Sequence, residues 1–192
     1  MTAEPFRCWP TTDAEYIRYH DEEWGRPVRD ERGVYERLCL EGFQSGLSWL
    51  TILRKRPAFR AAFAEFEPDR VAAFGDDDVM RLLGDAGIVR HRGKIEAAIA
   101  NARATVGLRE SGEPLEALFW GHAPAGEGAV PRTTADWHSQ TPESVALAKR
   151  LRAAGFRFVG PTTVYAAMQA CGVVDDHLEK CWVRRDVERL RS

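Results

Sequence analysis

Long hydrophobic runs are missing from this chain of 192 residues. No stretch approaches the ~18 consecutive apolar residues of a membrane span, so none is expected. The opening Met1-Thr-Ala-Glu-Pro-Phe-Arg-Cys8 has no apolar segment of the kind a secretory leader carries. Cysteine is scarce: four over this length do not make a disulfide scaffold, and they fit a reducing cytoplasm, the expected location, with metal or core roles. A large excess of either charge is also absent. The formal net charge is −2, with local basic clusters at Arg54-Lys-Arg56, Arg90-His-Arg-Gly-Lys94, Lys149-Arg-Leu-Arg152 and Arg184-Arg185. Sparse clusters are ordinarily solvated helix faces and do not by themselves establish nucleic-acid binding. Alternating strand patterns, internal repeats, low-complexity tracts, nucleotide-binding glycine loops and Ser-His-Asp arrangements are lacking too.

What remains is an ordinary globular composition, 44% apolar and 29% charged, long enough to bury a core as one domain over residues 1–192. The periodicity is helical nearly throughout. Ile95, Ala98, Ile99, Ala102 and Val106 form one stripe of an amphipathic helix. Asp76 to Asp78 open another, and Thr141-Pro142 reads as an N-cap and first-turn pair for a helix to about Ala154, stopped by Gly155. Further helices are expected over about 13–23, 31–45, 47–55, 57–64, 114–120, 161–171 and 177–189. Residues 121–140 read as one long surface loop of high mobility. Cys39 and Cys171 fall inside apolar helical patterns and are expected in the core. The fold class is all-α.

Cys8 and His20 near the start, with His177 and Cys181 near the end, form a two-plus-two thiolate and imidazole set suited to tetrahedral zinc. On a helix, His177 and Cys181 would project from one face. Cys8 and His20 stand too far apart for a finger. Four protein ligands would leave no position for water or substrate, so the metal would staple the termini (about 1–24 and 172–192) rather than do chemistry. The alternative is two unrelated reduced cysteines and two ordinary histidines.

Three other places carry chemical content. Gly155-Phe-Arg-Phe-Val-Gly160 joins two helices within about 150–171. Pro161 at the first helical position would leave the amides of Thr162 and Thr163 free for an anion such as a backbone phosphate, with Arg150, Arg152 and Arg157 adding attraction. A plain capped turn is the alternative. Glu41 lies in an apolar helical segment beside two glycines, and a buried carboxylate there needs a donor, which a ligand could supply. A solvent-facing glutamate is the bland counterpart. Tyr16, Tyr19 and His20 share a helix face with Trp24 just beyond, a stacking pocket for a flat base or simple core packing.

Taken together, Tyr16-x-x-Tyr-His-Asp-x-Glu-Trp-Gly25, Cys39-Leu-Glu-Gly-x-Gln-x-Gly-Leu-Ser-Trp49, Asp85-Ala-Gly-Ile-x-Arg-His-Arg-Gly-Lys-Ile95, Gly155-Phe-x-Phe-Val-Gly160 and Met168-Gln-Ala-Cys-Gly172 with Asp176-His177 resemble the DNA-3-methyladenine glycosylase I family, a branch of the helix-hairpin-helix glycosylases. The matches run in order over nearly the whole chain. The resemblance implies a monomeric, monofunctional hydrolase that removes N3-methyladenine from alkylated double-stranded DNA in base excision repair, with 3-methylguanine left open as a second substrate. It implies a structural zinc on Cys8, His20, His177 and Cys181. Base recognition falls to Glu41, with substrate contacts at Tyr16, Tyr19 and Trp49, and at Trp9 and Trp24. DNA binding falls to Gly155, Arg157, Gly160, Thr162 and Thr163. Two departures stand out. Trp9 follows Cys8 directly, where the family commonly has an intervening glycine. In the hairpin, Phe158 replaces the superfamily's first glycine, and Asp175 occupies the place of its catalytic Asp, where this family often has Asn. Asp175 could stabilise oxocarbenium charge or cap the turn before His177. Lys94 is the one lysine placed to suggest a Schiff-base lyase, but its setting reads as a helix start near DNA. A zinc-stapled DNA-binding module without catalysis is the alternative reading of the whole. A catalytic zinc hydrolase would need an open metal position.

Overall fold

The computed structural model describes residues 5–126 and 128–191, and among them there is no strand. The first four residues of the expected N-terminal zinc segment lie outside the described residues, as do residues 127 and 192. Ten α-helices follow in order: α1 Ala14–Glu22, α2 Glu31–Gln44, α3 Trp49–Ala62, α4 Pro68–Ala72, α5 Asp76–Gly84, α6 Arg92–Glu110, α7 Leu115–Gly121, α8 Pro142–Ala153, α9 Pro161–Ala170 and α10 Arg184–Arg191. Their starts are closed by side chains. Asp13, Asp30, Ser48, His91 and Thr141 each accept a backbone N–H from the first turn of α1, α2, α3, α6 and α8.

Helix α2 is buried along most of its length, Glu36 and Glu41 included, and it packs against α3, α6, α7 and α9. The main core surrounds it: Val34, Tyr35, Leu38, Cys39, Leu40 and Phe43 meet Phe59 and Phe63 of the α3 region and Ile95, Ala98, Ile99 and Ala102 of α6, with Val164, Met168 and Cys171 from the α9 side. A second, smaller cluster gathers both ends of the chain: Cys8, Tyr19, Trp24, Leu53, Leu178, Cys181, Val183 and Val187. The segment after α1 reaches this region by lying on the end of α9, where Gly25 N donates to Gln169 O and Val28 N to Cys171 O. Gly172 permits the approach. Its φ is +70°, and a Cβ there would stand 2.5 Å from Gly25 O, closer than any side chain tolerates.

Four expectations change. The helices expected at 47–55 and 57–64 are one, running through Pro57. Proline removes a hydrogen bond and costs about 3 kcal/mol in a helix interior, but Ile52, Leu53, Phe59 and Phe63 all find fully buried positions on the continued rod. α4 was not anticipated. The helix expected from residue 177 begins at Arg184. His177 O accepts from Arg184 Nη1 at 2.5 Å, while Cys181 N turns back to Leu178 O at 2.8 Å, so the ladder bond from residue 181 to residue 177 never forms. The loop at 121–140 is not simply a surface excursion: Pro131 is buried, Glu179 N donates to Pro131 O, and Trp137 enters the terminal cluster.

Candidate active site and metal centre

Helices α1, α2 and α3 each contribute side chains to one largely buried aromatic site. α1 presents Tyr16 and Tyr19 three residues apart, their rings 6.4 Å apart and nearly parallel. Trp49, first residue of α3, sets its ring 5.2 Å from Tyr19. Glu41 of α2 is 7% exposed, and among the described residues no group donates to its carboxylate. Burial pushes its pKa up to about 8. Burial, then the nearby Glu41 charge, raises both tyrosines, which places the three side chains in one field. The indole N–H groups of Trp9 and Trp49 are buried without partners. Buried polar groups are normally paired, so a carboxylate and two indoles left open beside stacked rings describe a site for a flat ligand that carries donors and acceptors.

Beside this site lies the second centre. Cys8, His20, His177 and Cys181 are all buried, and their four donor atoms lie within 4.8 Å of one another. Cys8 Sγ is 3.4 Å from His177 Nδ1, and Cys181 Sγ is 3.5 Å from both His177 Nδ1 and His20 Nε2. Ligands about 2.0–2.3 Å from one tetrahedral ion stand roughly 3.3–3.8 Å from each other. The outward ring nitrogens are held as well: His20 Nδ1 donates to Asp21 Oδ1 at 2.7 Å and His177 Nε2 to Trp24 O at 3.0 Å. This fixes both tautomers with the remaining lone pairs toward the sulfurs, the usual arrangement behind metal-binding histidines. The hydrogen bond between the two thiols pulls Cys181 down and pushes Cys8 up, so the pair readily holds one negative charge. These four residues could hold a metal ion, and their number leaves no position open.

Trp24 belongs more to this centre than to the aromatic site. Trp24 packs edge-on against His177 at 4.6 Å and also meets Trp137. Trp9 spans both regions, 5.2 Å from Tyr16 and 4.7 Å from His20. Two contributors escaped sequence reasoning. Trp137 donates through Nε1 to Asp176 O at 2.8 Å; a single Trp in a glycine-rich loop was the available clue, because its large apolar surface favours burial. Asp21, next to His20 in the chain, is itself gripped by Arg7 through three contacts of 2.8–3.1 Å.

Asp175 sits at the same centre. Its Oδ1 accepts the His177 amide at 3.0 Å, Oδ2 lies 3.8 Å from Arg184, and the side chain is 1% exposed, with burial raising its pKa. Lys94, the lyase candidate, is buried with Nζ donating to Phe43 O at 2.9 Å and Ser45 O at 2.6 Å. An ammonium engaged this way is not presented to a substrate as a nucleophile.

The hairpin between α8 and α9 is clamped from α6: Asn101 Oδ1 accepts from Arg157 N at 2.7 Å and Nδ2 donates to Arg157 O at 3.1 Å. Phe156 and Val159 are buried, whereas Gly155 (φ +98°), Arg157 and Thr162 are exposed. Gly160 stands at the cap of α9 and has no side chain to close its first turn, so the amides of Thr162 and Thr163 lack a capping acceptor. Of the two other basic residues expected to add attraction, Arg152 is exposed and Arg150 half-buried. Arg150 is tied to Glu113, and Arg152 reaches Val159 O at 3.5 Å. Phe158 takes φ +56°, the backbone region that its glycine counterpart would occupy without strain, and its ring lies near His91 and Gly93. Substituting Phe158 by Gly should therefore give a protein about 1 kcal/mol more stable than the Phe158→Ala variant. Urea melts of the two decide it, and equal midpoints would mean that the hairpin relaxes out of the left-handed region.

Fold and site together define a class: a protein helical throughout its described residues, with stacked aromatics near a buried carboxylate that has no donor, beside a buried two-cysteine, two-histidine cluster. The chain belongs to the methyladenine glycosylase family, whose model matches residues 9–185. It is 48% identical over 179 residues to DNA-3-methyladenine glycosylase 1 of Escherichia coli (strain K12), covering 91% of this chain and 95% of that protein. A DNA-3-methyladenine glycosylase of Haemophilus influenzae is 41% identical over 182 residues, covering 91% and 96%. Among solved structures, a crystal structure of 3-methyladenine DNA glycosylase I superposes with a TM-score of 0.89 at 46% identity, over 92% of this chain and 98% of that one. The Staphylococcus aureus 3-methyladenine DNA glycosylase I, solved to explain 3-methyladenine recognition, gives 0.86 at 34% identity over 91% and 93%.

Proposed function

We propose that this protein is a monofunctional DNA glycosylase, a monomeric single helical domain that hydrolyses the N-glycosidic bond of N3-methyladenine in alkylated double-stranded DNA. The observation that carries this reading is the Glu41 carboxylate, buried without a donor and near enough to Tyr16 and Tyr19 for its charge to act on both, with Trp49 packed on Tyr19. The names of the relatives support it, since a carboxylate ringed by aromatics suits a flat cationic base. N3-methylation makes the base a cation in DNA, so cleavage releases a neutral purine and needs no protonation of the leaving group. Water adds to the sugar carbon as the bond to the base nitrogen breaks. The protein's part is then to extrude, orient and recognise. Tyr19 and Trp49 stack on the extruded base and Glu41 accepts its N–H donors. A normal adenine, being neutral, gains less from the carboxylate.

The turn from Gly155 to Gly160 acts as the hairpin of a helix-hairpin-helix motif. The free amides at Thr162 and Thr163, with Arg157 beside them, bind a backbone phosphate. Cys8, His20, His177 and Cys181 hold a structural zinc that ties the two ends of the chain. A filled donor set argues against a zinc-bound nucleophile. Asp175 serves the turn that presents His177: Oδ1 accepts that residue's amide, while Oδ2, 3.8 Å from Arg184, is buried without a hydrogen-bond partner.

Base release from methylated duplex DNA, resolved by chromatography, tests the reading. The expected result is liberation of 3-methyladenine with 7-methylguanine retained and no borohydride-trapped protein–DNA adduct. No release from zinc-loaded protein that still binds DNA would leave only a zinc-stapled DNA-binding module.

A further inference from the structure

Glu41 of α2 and Trp49 of α3 are joined by a short turn, Gln44 to Ser48, so this turn borders the candidate site. Ser45, Gly46, Leu47 and Ser48 are exposed, and Gly46 has φ +81° with no atom within 4 Å of where a Cβ would stand. Little side-chain packing is available to hold such a segment. Its own bonds are Leu47 N to Gln44 O at 2.6 Å and the Ser48 cap on Thr51.

The remaining anchor comes from another helix. Lys94 extends from the first turn of α6 beneath the turn, and its ammonium donates to Phe43 O and Ser45 O. This is a costly place for a charge on two counts. A cation in the first turn of a helix faces that helix's positive end. Burial also disfavours the charged form and lowers its pKa. Neither cost is explained by α6. Both are explained by α2, whose last turn carries no basic residue and whose terminal carbonyls point at Nζ. Phe158 of the hairpin and Gly42 of α2 line the same small space as Lys94, so the anchor stands where hairpin, α6 and α2 converge.

We infer that Lys94 is a positioning residue for base excision: its buried ammonium locks the Gln44–Ser48 turn so that this border of the site meets the duplex as a rigid element. It touches no substrate and acts through the turn. The inference rests on the glycosylase reading, and it separates two things that a pocket residue would move together. Free 3-methyladenine needs only the side chains of the site, Glu41, Tyr19 and Trp49. A base in DNA must also be brought past the turn.

Lys94→Met, Lys94→Arg and, as an independent disturbance of the same turn, Gly46→Ala are the variants to compare with the full-length zinc-loaded protein. Single-turnover release of 3-methyladenine from methylated duplex is expected to fall at least about tenfold in Lys94→Met, because losing a hydrogen-bonded charge at a helix end is worth on the order of that factor. Lys94→Arg should recover part of the rate, since a guanidinium can also donate to two carbonyls. Affinity for free 3-methyladenine should stay within about threefold in all three. Amide exchange over residues 43–48 should accelerate in Lys94→Met and Gly46→Ala whether or not the protein proves to be a glycosylase. Unchanged exchange in that segment overturns the inference. So does unchanged excision, or an equal fall in excision and free-base affinity, which would make Lys94 a mere support of the pocket. If Lys94→Met does not fold, Gly46→Ala decides by the same criteria. Absence of base release from the wild-type protein would instead count against the glycosylase reading, with the exchange data still deciding what Lys94 holds.

Discussion

Replacing Glu41 by Gln is expected to lower the affinity for 3-methyladenine sites in DNA, and their excision, by about 10- to 100-fold. The size follows from losing a hydrogen bond to a charged acceptor, worth about 1.5–3 kcal/mol. The same substitution should change how binding depends on pH. Burial holds Glu41 near 8 in the free protein, so at neutral pH it is mostly protonated. A cationic base favours the ionised carboxylate. Binding below pH 8 must then release a proton, and affinity should climb with pH to about 8 and level off. In Glu41→Gln both the proton release and the slope should vanish. Calorimetry of methylated duplex in buffers of different ionisation enthalpy reads the proton directly, and a wild-type signal independent of buffer would remove Glu41 from the role. Stability should move the other way. The carboxyl is raised on folding, so its contribution is greatest below the unfolded value, ~4.3, and is lost as pH rises through about 8. The melting temperature of Glu41→Gln should gain on the wild type progressively across that window.

With zinc on the four residues as proposed, chelation, or replacing Cys8 and Cys181 together by Ser, is expected to lower the melting temperature by about 10 °C or more. Zinc sites of this type contribute folding free energy directly, and in a chain of this size each kcal/mol moves the midpoint by about 2–4 °C. The damage should be local at first. The terminal cluster around Cys8, Leu178 and Cys181 is separate from the main core around α2. Near-ultraviolet circular dichroism should therefore collapse, because Trp9, Trp24 and Trp137 lose their mutual packing. Far-ultraviolet signal should change much less. Excision should disappear with the tryptophan signal, since Tyr16 and Tyr19 ride on α1, the helix that also carries His20. A chelated protein that kept its midpoint and its tryptophan spectrum would show that the four residues hold no structural ion.

Much of the helical layout was readable because local chemistry decides it. The stripe Ile95, Ala98, Ile99 and Ala102 is buried as its period requires, and Thr141 with Pro142 starts α8 where the cap chemistry says it should. Cys39 and Cys171 are core residues, and the two thiol and two imidazole donors converge although 169 positions separate Cys8 from His177. Elsewhere local rules were overruled. Pro57 does not end α3, because the buried faces on both sides of it outweigh one lost hydrogen bond. Residues 177–183 do not form a helix, because Arg184 takes the carbonyl that a helical amide would have used.

By itself, then, the sequence determined most of the helices, the main core stripe and the inventory of chemical groups: a carboxylate in an apolar helix, two thiols and two imidazoles, a glycine-bounded hairpin. These depend on spacing and side-chain type, which are local properties. Only the tertiary structure decided which groups are used up and which are left open. Arg150 is spent on Glu113, one oxygen of Asp175 on the His177 amide and Lys94 on the end of α2, while Glu41 keeps its whole carboxylate without a donor. That choice turns on desolvation and on who stands within hydrogen-bond reach across the fold, and a linear sequence does not contain either distance.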